Sequence, residues 1–306
     1  MANQSGTKTN KLYEQLVERF ARWAETCSDI SAAIVVGSRA RVDHPADEWA
    51  DLDIIVVTTD PERYLSTIDW LESIGKPLLT FLEPTATGGQ IERRVLFEGM
   101  LDVDFSIIPK RIVERLLQNN IPPQIAEIFS RGARVFIDKD GMAAQFHVYI
   151  SSAESLSPGP PSEHEFLEIV NDFLYHAVWT VKKLRRGELW TAKFCLDSYM
   201  KSRCMLRMME WHAHAAKGWT YDTWHNGRFL EEWADPCALK GLRETFARYD
   251  EADIKRGLLA TMNLFRKIAM EIAEKLGYSY PIELDKQVTE WTRTHLSEKT
   301  VQRSEI

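Results

Sequence analysis

Ala32-Ala33-Ile34-Val35-Val36-Gly37-Ser38, followed at a short distance by Asp51-Leu52-Asp53-Ile54-Ile55-Val56-Val57, is the stretch whose reading decides the fold. Both apolar runs are short and rich in β-branched residues, and the first is closed by Gly-Ser, so they read as buried strands. The polar segment between them carries Pro45 and several acids and is too short for a crossover helix. The two strands are therefore expected side by side and antiparallel.

Upstream, Leu16, Val17, Phe20, Ala21 and Trp23 recur at helical spacing, which predicts an amphipathic helix over 13–23. Downstream, 62–73 reads as a helix capped by Asp60 with Pro61 in its first turn, and 76–83 as a further strand. Residues 94–98 and 101–108 flank Gly99-Met100 and read as a hairpin. In its second arm Val103, Phe105 and Ile107 alternate with Asp102, Asp104 and Ser106, so Asp104 is expected on the polar face of a half-buried strand. A short helix and an apolar segment over 133–137 follow.

The serine, proline and glycine of 151–162 mark a linker. Beyond it the spacing is helical over 163–186, 190–216 and 254–276, and most of the tryptophans of this half are expected in a core or an interface, with one or two open to line a ligand site. The predicted fold class is α+β: a mixed β-sheet domain with flanking helices over 1–150, followed by an all-α helical bundle over 151–306.

Composition narrows the function. The 306 residues, 44% hydrophobic and 27% charged, suffice for two globular domains. A net charge of -7 argues against a surface built for long nucleic acid and accommodates a cationic partner. No apolar run approaches bilayer length, and the polar start lacks the apolar core of a signal peptide, so a cytoplasmic protein with no membrane partner is expected. Cys27, Cys195, Cys204 and Cys237 have no paired spacing and point to neither zinc nor disulfides.

The chemistry lies in Gly37-Ser38-Arg39, Asp51-Leu52-Asp53 and Asp104. Glycine and serine at a strand end let backbone and hydroxyl groups approach a phosphate, and Arg39 is expected to add charge-assisted hydrogen bonds. Asp51 and Asp53 are two apart at a strand mouth, so their carboxylates share one face, roughly 6 to 7 Å apart along the chain. A third carboxylate from a distant strand makes a cluster that repels itself unless cations neutralise it. Two magnesium ions, about 3.5 to 4 Å apart in such sites, would do so and clamp the attacking and leaving oxygens of an in-line displacement. Taken alone, Gly-Ser is a common turn and Asp-x-Asp a common strand end. Their conjunction resembles the DNA polymerase β-like nucleotidyltransferases.

The resemblance sharpens to a family. Gly37-Ser38-Arg39-Ala40-Arg41, Asp47-Glu48-Trp49-Ala50-Asp51-Leu52-Asp53-Ile54 and Val103-Asp104-Phe105-Ser106-Ile107-Ile108-Pro109 are similar to the aminoglycoside 6-adenylyltransferases, also called streptomycin adenylyltransferases. The likeness continues through Asn171-Asp172-Phe173, Ala192-Lys193-Phe194-Cys195-Leu196-Asp197, Gly227-Arg228-Phe229-Leu230 and Leu276-Gly277-Tyr278-Ser279-Tyr280-Pro281. It implies ATP as co-substrate, magnesium, and transfer of AMP to a hydroxyl of streptomycin. Asp51 and Asp53 would then bind magnesium, and Asp104 would be metal ligand or general base. Asp102 and Glu98-Gly99-Met100 depart from the family pattern beside the expected acceptor site, so a lincosamide, another metabolite or a protein side chain are rival acceptors. A nucleotide-binding regulator is a further rival, disfavoured because mere binding needs no third carboxylate.

Two constellations fall in the helical half. Asp172, His176 and Trp179 share one helix face, either as an acceptor-binding surface or as a core edge. Lys193 and Asp197 are one turn apart, which fits a surface ion pair or, from the family-like segment, a triphosphate contact for Lys193. Asp172, Asp197 and Asp102 would draw a polycationic aminoglycoside to an acidic cleft between the domains.

Overall fold

The computed structural model describes residues 2–41, 43–85, 89–118, 125–126, 129, 131–146 and 159–297. The chain divides into two compact units, Met1–Leu156 and Ser157–Ile306. Among the described residues no helix is long and apolar enough to cross a membrane.

The first unit contains α1 (Ala2–Glu25), β1 (Ile30–Val36), β2 (Leu52–Thr58), α2 (Pro61–Ser66), β3 (Pro77–Pro84), β4 (Ile91–Phe97), β5 (Leu101–Pro109), α3 (Lys110–Gln118) and β6 (Arg134–Asp138). The strands form one mixed sheet in the order β3-β4-β5-β2-β1-β6. β1 and β2 are antiparallel neighbours, as their short connection requires, while β2 and β5 run parallel. One sheet face is mostly apolar: Ala33 and Val35, Ile54 and Val56, Val95 and Phe97, and Val103, Phe105 and Ile107 pack with Leu16, Val17 and Phe20 of α1, and the buried Arg93 on the same face donates to the Tyr64 and Leu65 carbonyls. The opposite face carries Asp53, Asp104 and Arg94, because successive side chains alternate across the sheet.

The expected helix over 62–73 is broken. α2 ends at Ser66, Thr67 is extended, and a 3-10 turn spans Asp69–Ser73. The Ser66 and Thr67 hydroxyls donate back to Glu62 O (2.7 Å) and Arg63 O (2.9 Å), competing with the helix ladder. The break turns Trp70 and Leu71 into the core.

The second unit comprises α4 (Glu163–Arg185), α5 (Leu189–Phe194), a π-helical stretch Cys195–Met205, α6 (Leu206–Lys217), α7 (Leu230–Trp233), α8 (Pro236–Thr245), α9 (Glu251–Leu276) and α10 (Ile282–Ser297). α4 starts at a full capping box, Ser162 with Glu165. Of the expected linker, 151–158 lies outside the described residues. A core of Phe166, Phe173, Met200, Met208, Trp233 and Phe265, among others, holds the bundle. Trp179, Trp211, Trp224 and Trp291 pack against this core, while Trp190 is 72% exposed.

Candidate active site

Strand register builds the site. Asp53 on β2 lies opposite Val36 on β1 and opposite Asp104 on β5, and Asp104 in turn lies opposite Arg94 on β4. Val36, Asp53, Asp104 and Arg94 therefore form one lateral row across four strands. Neighbouring strands in such a row are about 4.8 Å apart, so Asp53 and Asp104 cannot avoid one another. Asp51 joins them from just before β2. Each of the three aspartates offers one oxygen, and these oxygens all lie within 4.8 Å of one another.

The turn after β1 is shaped around this row. Gly37 has φ +68°, and a Cβ added there would sit 2.1 Å from Asp53 Oδ2. Both the left-handed backbone and the occupied space demand glycine. The buried Ser38 hydroxyl has no hydrogen-bond partner among the described residues, a free polar group at the position expected for phosphate.

Arg39 is held by protein groups. Its Nε donates to Asp51 O (2.9 Å), Nη2 to Ala50 O (2.6 Å) and Nη1 to Asn10 Oδ1 (3.0 Å). The guanidinium stacks 3.6 Å from the centroid of the Tyr13 ring. It braces the backbone that presents Asp51 through three of its five N–H groups. The sequence carries no mark of this, since Asn10 and Tyr13 lie on α1.

Asp104, expected on the polar face of a half-buried strand, does lie on the face of Asp53 and Arg94 but is itself only 3% exposed. Burial, opposed by Arg94 and reinforced by Asp53, Asp102 and Glu92, pushes its carboxyl up to about 8. Oδ2 is 3.0 Å from Arg94 Nη2, while Oδ1 is buried without a partner. A buried, unpartnered carboxylate oxygen beside two further carboxylates is what a cation would satisfy, and an all-oxygen donor set suits magnesium. The residues fit the metal that the sequence implies. Arg94 and Glu92, which line the same face, were not singled out in the sequence; Arg94 stands two residues from Glu92 on β4, a period-two signal that gains meaning only from the register with Asp104.

In the second unit, the predicted face of α4 acquires a fourth member. Asp172 Oδ1 lies 2.7 Å from His176 Nδ1, and the Tyr199 hydroxyl donates to the same carboxylate at 3.1 and 3.2 Å. The Tyr199 and His176 rings are 4.3 Å apart, and Trp179 is 6.2 Å from His176. Tyr199 comes from the π-helical stretch, so spacing along α4 does not reveal it. Lys193 ion-pairs with Asp197, whose other oxygen accepts from the buried Lys201 at 2.9 Å. The geometry is the ion pair, tightened by a second lysine.

A strand closed by Gly-Ser, an Asp-x-Asp pair on the antiparallel neighbour and a third aspartate on the parallel strand beyond define the class, a nucleotidyltransferase. The chain belongs to the streptomycin adenylyltransferase family, whose model matches residues 10–295. It is 26% identical over 285 residues to an aminoglycoside 6-adenylyltransferase of Bacillus subtilis, covering 91% of this chain and 96% of that protein. An aminoglycoside 6-adenylyltransferase of Campylobacter jejuni is 22% identical over 85% of this chain and 88% of its own length. A crystal structure of an aminoglycoside 6-adenyltransferase from Bacillus subtilis matches with a TM-score of 0.45 and 22% identity, over 93% of this chain and 97% of that one.

Proposed function

We propose that this protein transfers AMP from ATP to a hydroxyl of an aminoglycoside, streptomycin before others, with release of pyrophosphate. The acceptor oxygen bonds to the α-phosphorus, the bond from that phosphorus to the bridging oxygen breaks, and the hydroxyl proton leaves to water. Asp51, Asp53 and Asp104 hold magnesium, which when bound neutralises the charge gathering on the phosphoryl oxygens. The observation that carries this reading is the unpartnered Oδ1 of Asp104 beside the other two carboxylates. Asp104 serves as ligand and not as general base, because Oδ2 is salt-bridged to Arg94 and Oδ1 is the oxygen left for the cation.

Gly37 and Ser38 meet the triphosphate, the first by leaving room and the second through its hydroxyl. Arg39 acts through the backbone of Asp51. For the acceptor, Asp172 offers a carboxylate to a guanidinium, with Trp179 and the ring of His176 as its apolar wall. Tyr199 fixes the rotamer of Asp172 by hydrogen bonding to both oxygens.

The test is pyrophosphate release from ATP and magnesium with a panel of streptomycin, other aminoglycosides and a lincosamide. Release that depends on streptomycin is expected, and Asp172→Asn should raise the KM for streptomycin about tenfold, the loss of one charge-assisted contact, while the KM for ATP holds. Release with the lincosamide alone would sink the aminoglycoside reading. An unchanged streptomycin KM in the variant would remove Asp172 from the acceptor site.

A further inference from the structure

Arg94 is not explained by the three-aspartate site alone. Its guanidinium contacts three carboxylates from three strands: Glu83 on β3, Glu92 on its own strand β4 at 3.3 Å, and Asp104 on β5 at 3.0 Å. Glu83 and Glu92 are directly opposite one another in the β3–β4 register, a like-charge pair that is unfavourable without a cation between them. Ser106 donates to the second oxygen of Glu92 at 3.5 Å, so Glu92 is held from two sides. The side chains of Asp104 and Glu92 are 4% and 10% exposed, and the Arg94 contacts to them are shielded from solvent.

The consequence falls on Asp104. A carboxylate on a strand can rotate to offer either oxygen, or both, to a neighbour. Here Oδ2 is taken by Arg94 and Oδ1 has no hydrogen-bond partner among the described residues, so Oδ1 is the oxygen left for a further ligand. Glu83 and Glu92 in turn prevent the arginine from swinging away.

We propose that Arg94 is a positioning residue of the metal site, which commits Oδ2 of Asp104 to a salt bridge so that Oδ1 alone is presented to the cation, with Glu83 and Glu92 as its anchors. This rests on the reading of Asp51, Asp53 and Asp104 as metal ligands. Without Arg94, the four mutually repelling carboxylates of Asp53 on β2, Asp104 on β5, Glu92 on β4 and Glu83 on β3 face each other across the sheet, and Asp104 loses its fixed orientation. The effect of Arg94 is exerted on the affinity of the site for metal, in the manner of groups that orient metal ligands elsewhere.

Mn2+ as a magnesium surrogate makes this measurable without turnover, by titrating the full-length protein and following the free-ion signal by electron paramagnetic resonance. Wild type should bind Mn2+, Asp53→Asn should lose that binding, and Arg94→Ala should bind about 10-fold more weakly, the low end of the effect of groups that orient metal ligands. Arg94→Lys restores a charge but reaches fewer carboxylates and should fall between. Glu92→Gln, which keeps the shape and loosens one anchor, provides the same test should Arg94→Ala fail to fold, and should weaken Mn2+ binding in the same direction. Mn2+ binding by Arg94→Ala equal to wild type, with a raised KM for ATP, would overturn the proposal and make the arginine a phosphate contact. Equal binding with all kinetic constants unchanged would overturn it as well. Failure of the wild type to bind Mn2+ at all would instead remove the metal reading on which the proposal stands.

Discussion

Asp104 in the first unit and Asp197 in the second are both carboxylates beside a cation, and they are satisfied to different degrees. Asp197 accepts from Lys201 at 2.9 Å, pairs with Lys193 and takes the backbone N–H of Ala247 at 3.3 Å. Both its oxygens are used within its own unit. Asp104 gives one oxygen to Arg94 and keeps the other buried and unpartnered, at a cost in desolvation that the fold does not recover from protein groups. Asp197 is saturated by the chain, whereas Asp104 keeps one oxygen without a hydrogen-bond partner among the described residues. On the proposed reading, the oxygen that Asp104 leaves open is the one offered to the cation.

The strongest way to break the comparison is at the metal. Asp53→Asn preserves shape and removes one of three ligand charges, so turnover should fall about 10³-fold, which corresponds to several kcal/mol of lost charge stabilisation, with the circular dichroism spectrum unchanged. Near-normal turnover would show that the incomplete cluster has no catalytic meaning.

The saturated cluster is tested by stability. Lys201 is 7% exposed and also donates to Leu196 O and Thr245 O. Lys201→Ala leaves Asp197 without its buried partner and should cost about 3 to 5 kcal/mol in urea unfolding. A loss below about 1 kcal/mol would mean that Asp197 does not depend on this lysine, against the range for a broken buried pair.

Acid strength sharpens the contrast. A carboxyl raised from 3.8 to about 8 binds its proton more tightly in the folded than in the unfolded chain. Its contribution to stability is full below pH 4 and is lost as pH rises toward 8. In the presence of a chelator the Tm should therefore decline across this window through Asp104, and Asp104→Asn should flatten that part of the profile. An unaltered slope in differential scanning calorimetry would show that burial of Asp104 carries no such cost.

The smallest effect is expected at Lys193, whose side chain is 24% exposed. Lys193→Ala should cost about 1 kcal/mol or less, as exposed pairs do, and leave the KM for ATP unchanged. A selective rise in that KM would return Lys193 to the triphosphate.

Local sequence determined the strands, the helices and the identity of the three aspartates. Continuous β-branched runs make buried strands whatever surrounds them, Gly-Ser closes one of them, and Asp-x-Asp must place two carboxylates on one side of the next. The antiparallel contact of β1 and β2 followed too, because their connection admits no crossover. Where the expected helix over 62–73 failed, short-range hydroxyl bonds from Ser66 and Thr67 outweighed an apolar spacing that did fit a helix.

Tertiary structure decided how those groups are used. The parallel register of β2 and β5 sets Asp53 against Asp104, and that of β4 and β5 sets Arg94 on the other side. Strand pairing between distant segments leaves no periodicity in either one, so neither the burial of Asp104 nor the role of Arg94 was legible. Arg39 teaches the same lesson: its partners Asn10 and Tyr13 on α1 and the carbonyls of Ala50 and Asp51, which engage three of its five N–H groups and one ring face, leave no mark in the sequence around Gly-Ser. Residue type is written in the sequence, while a charged group's partner depends on which of several candidates the fold brings within about 3 Å, because a hydrogen bond or salt bridge exists only at that range.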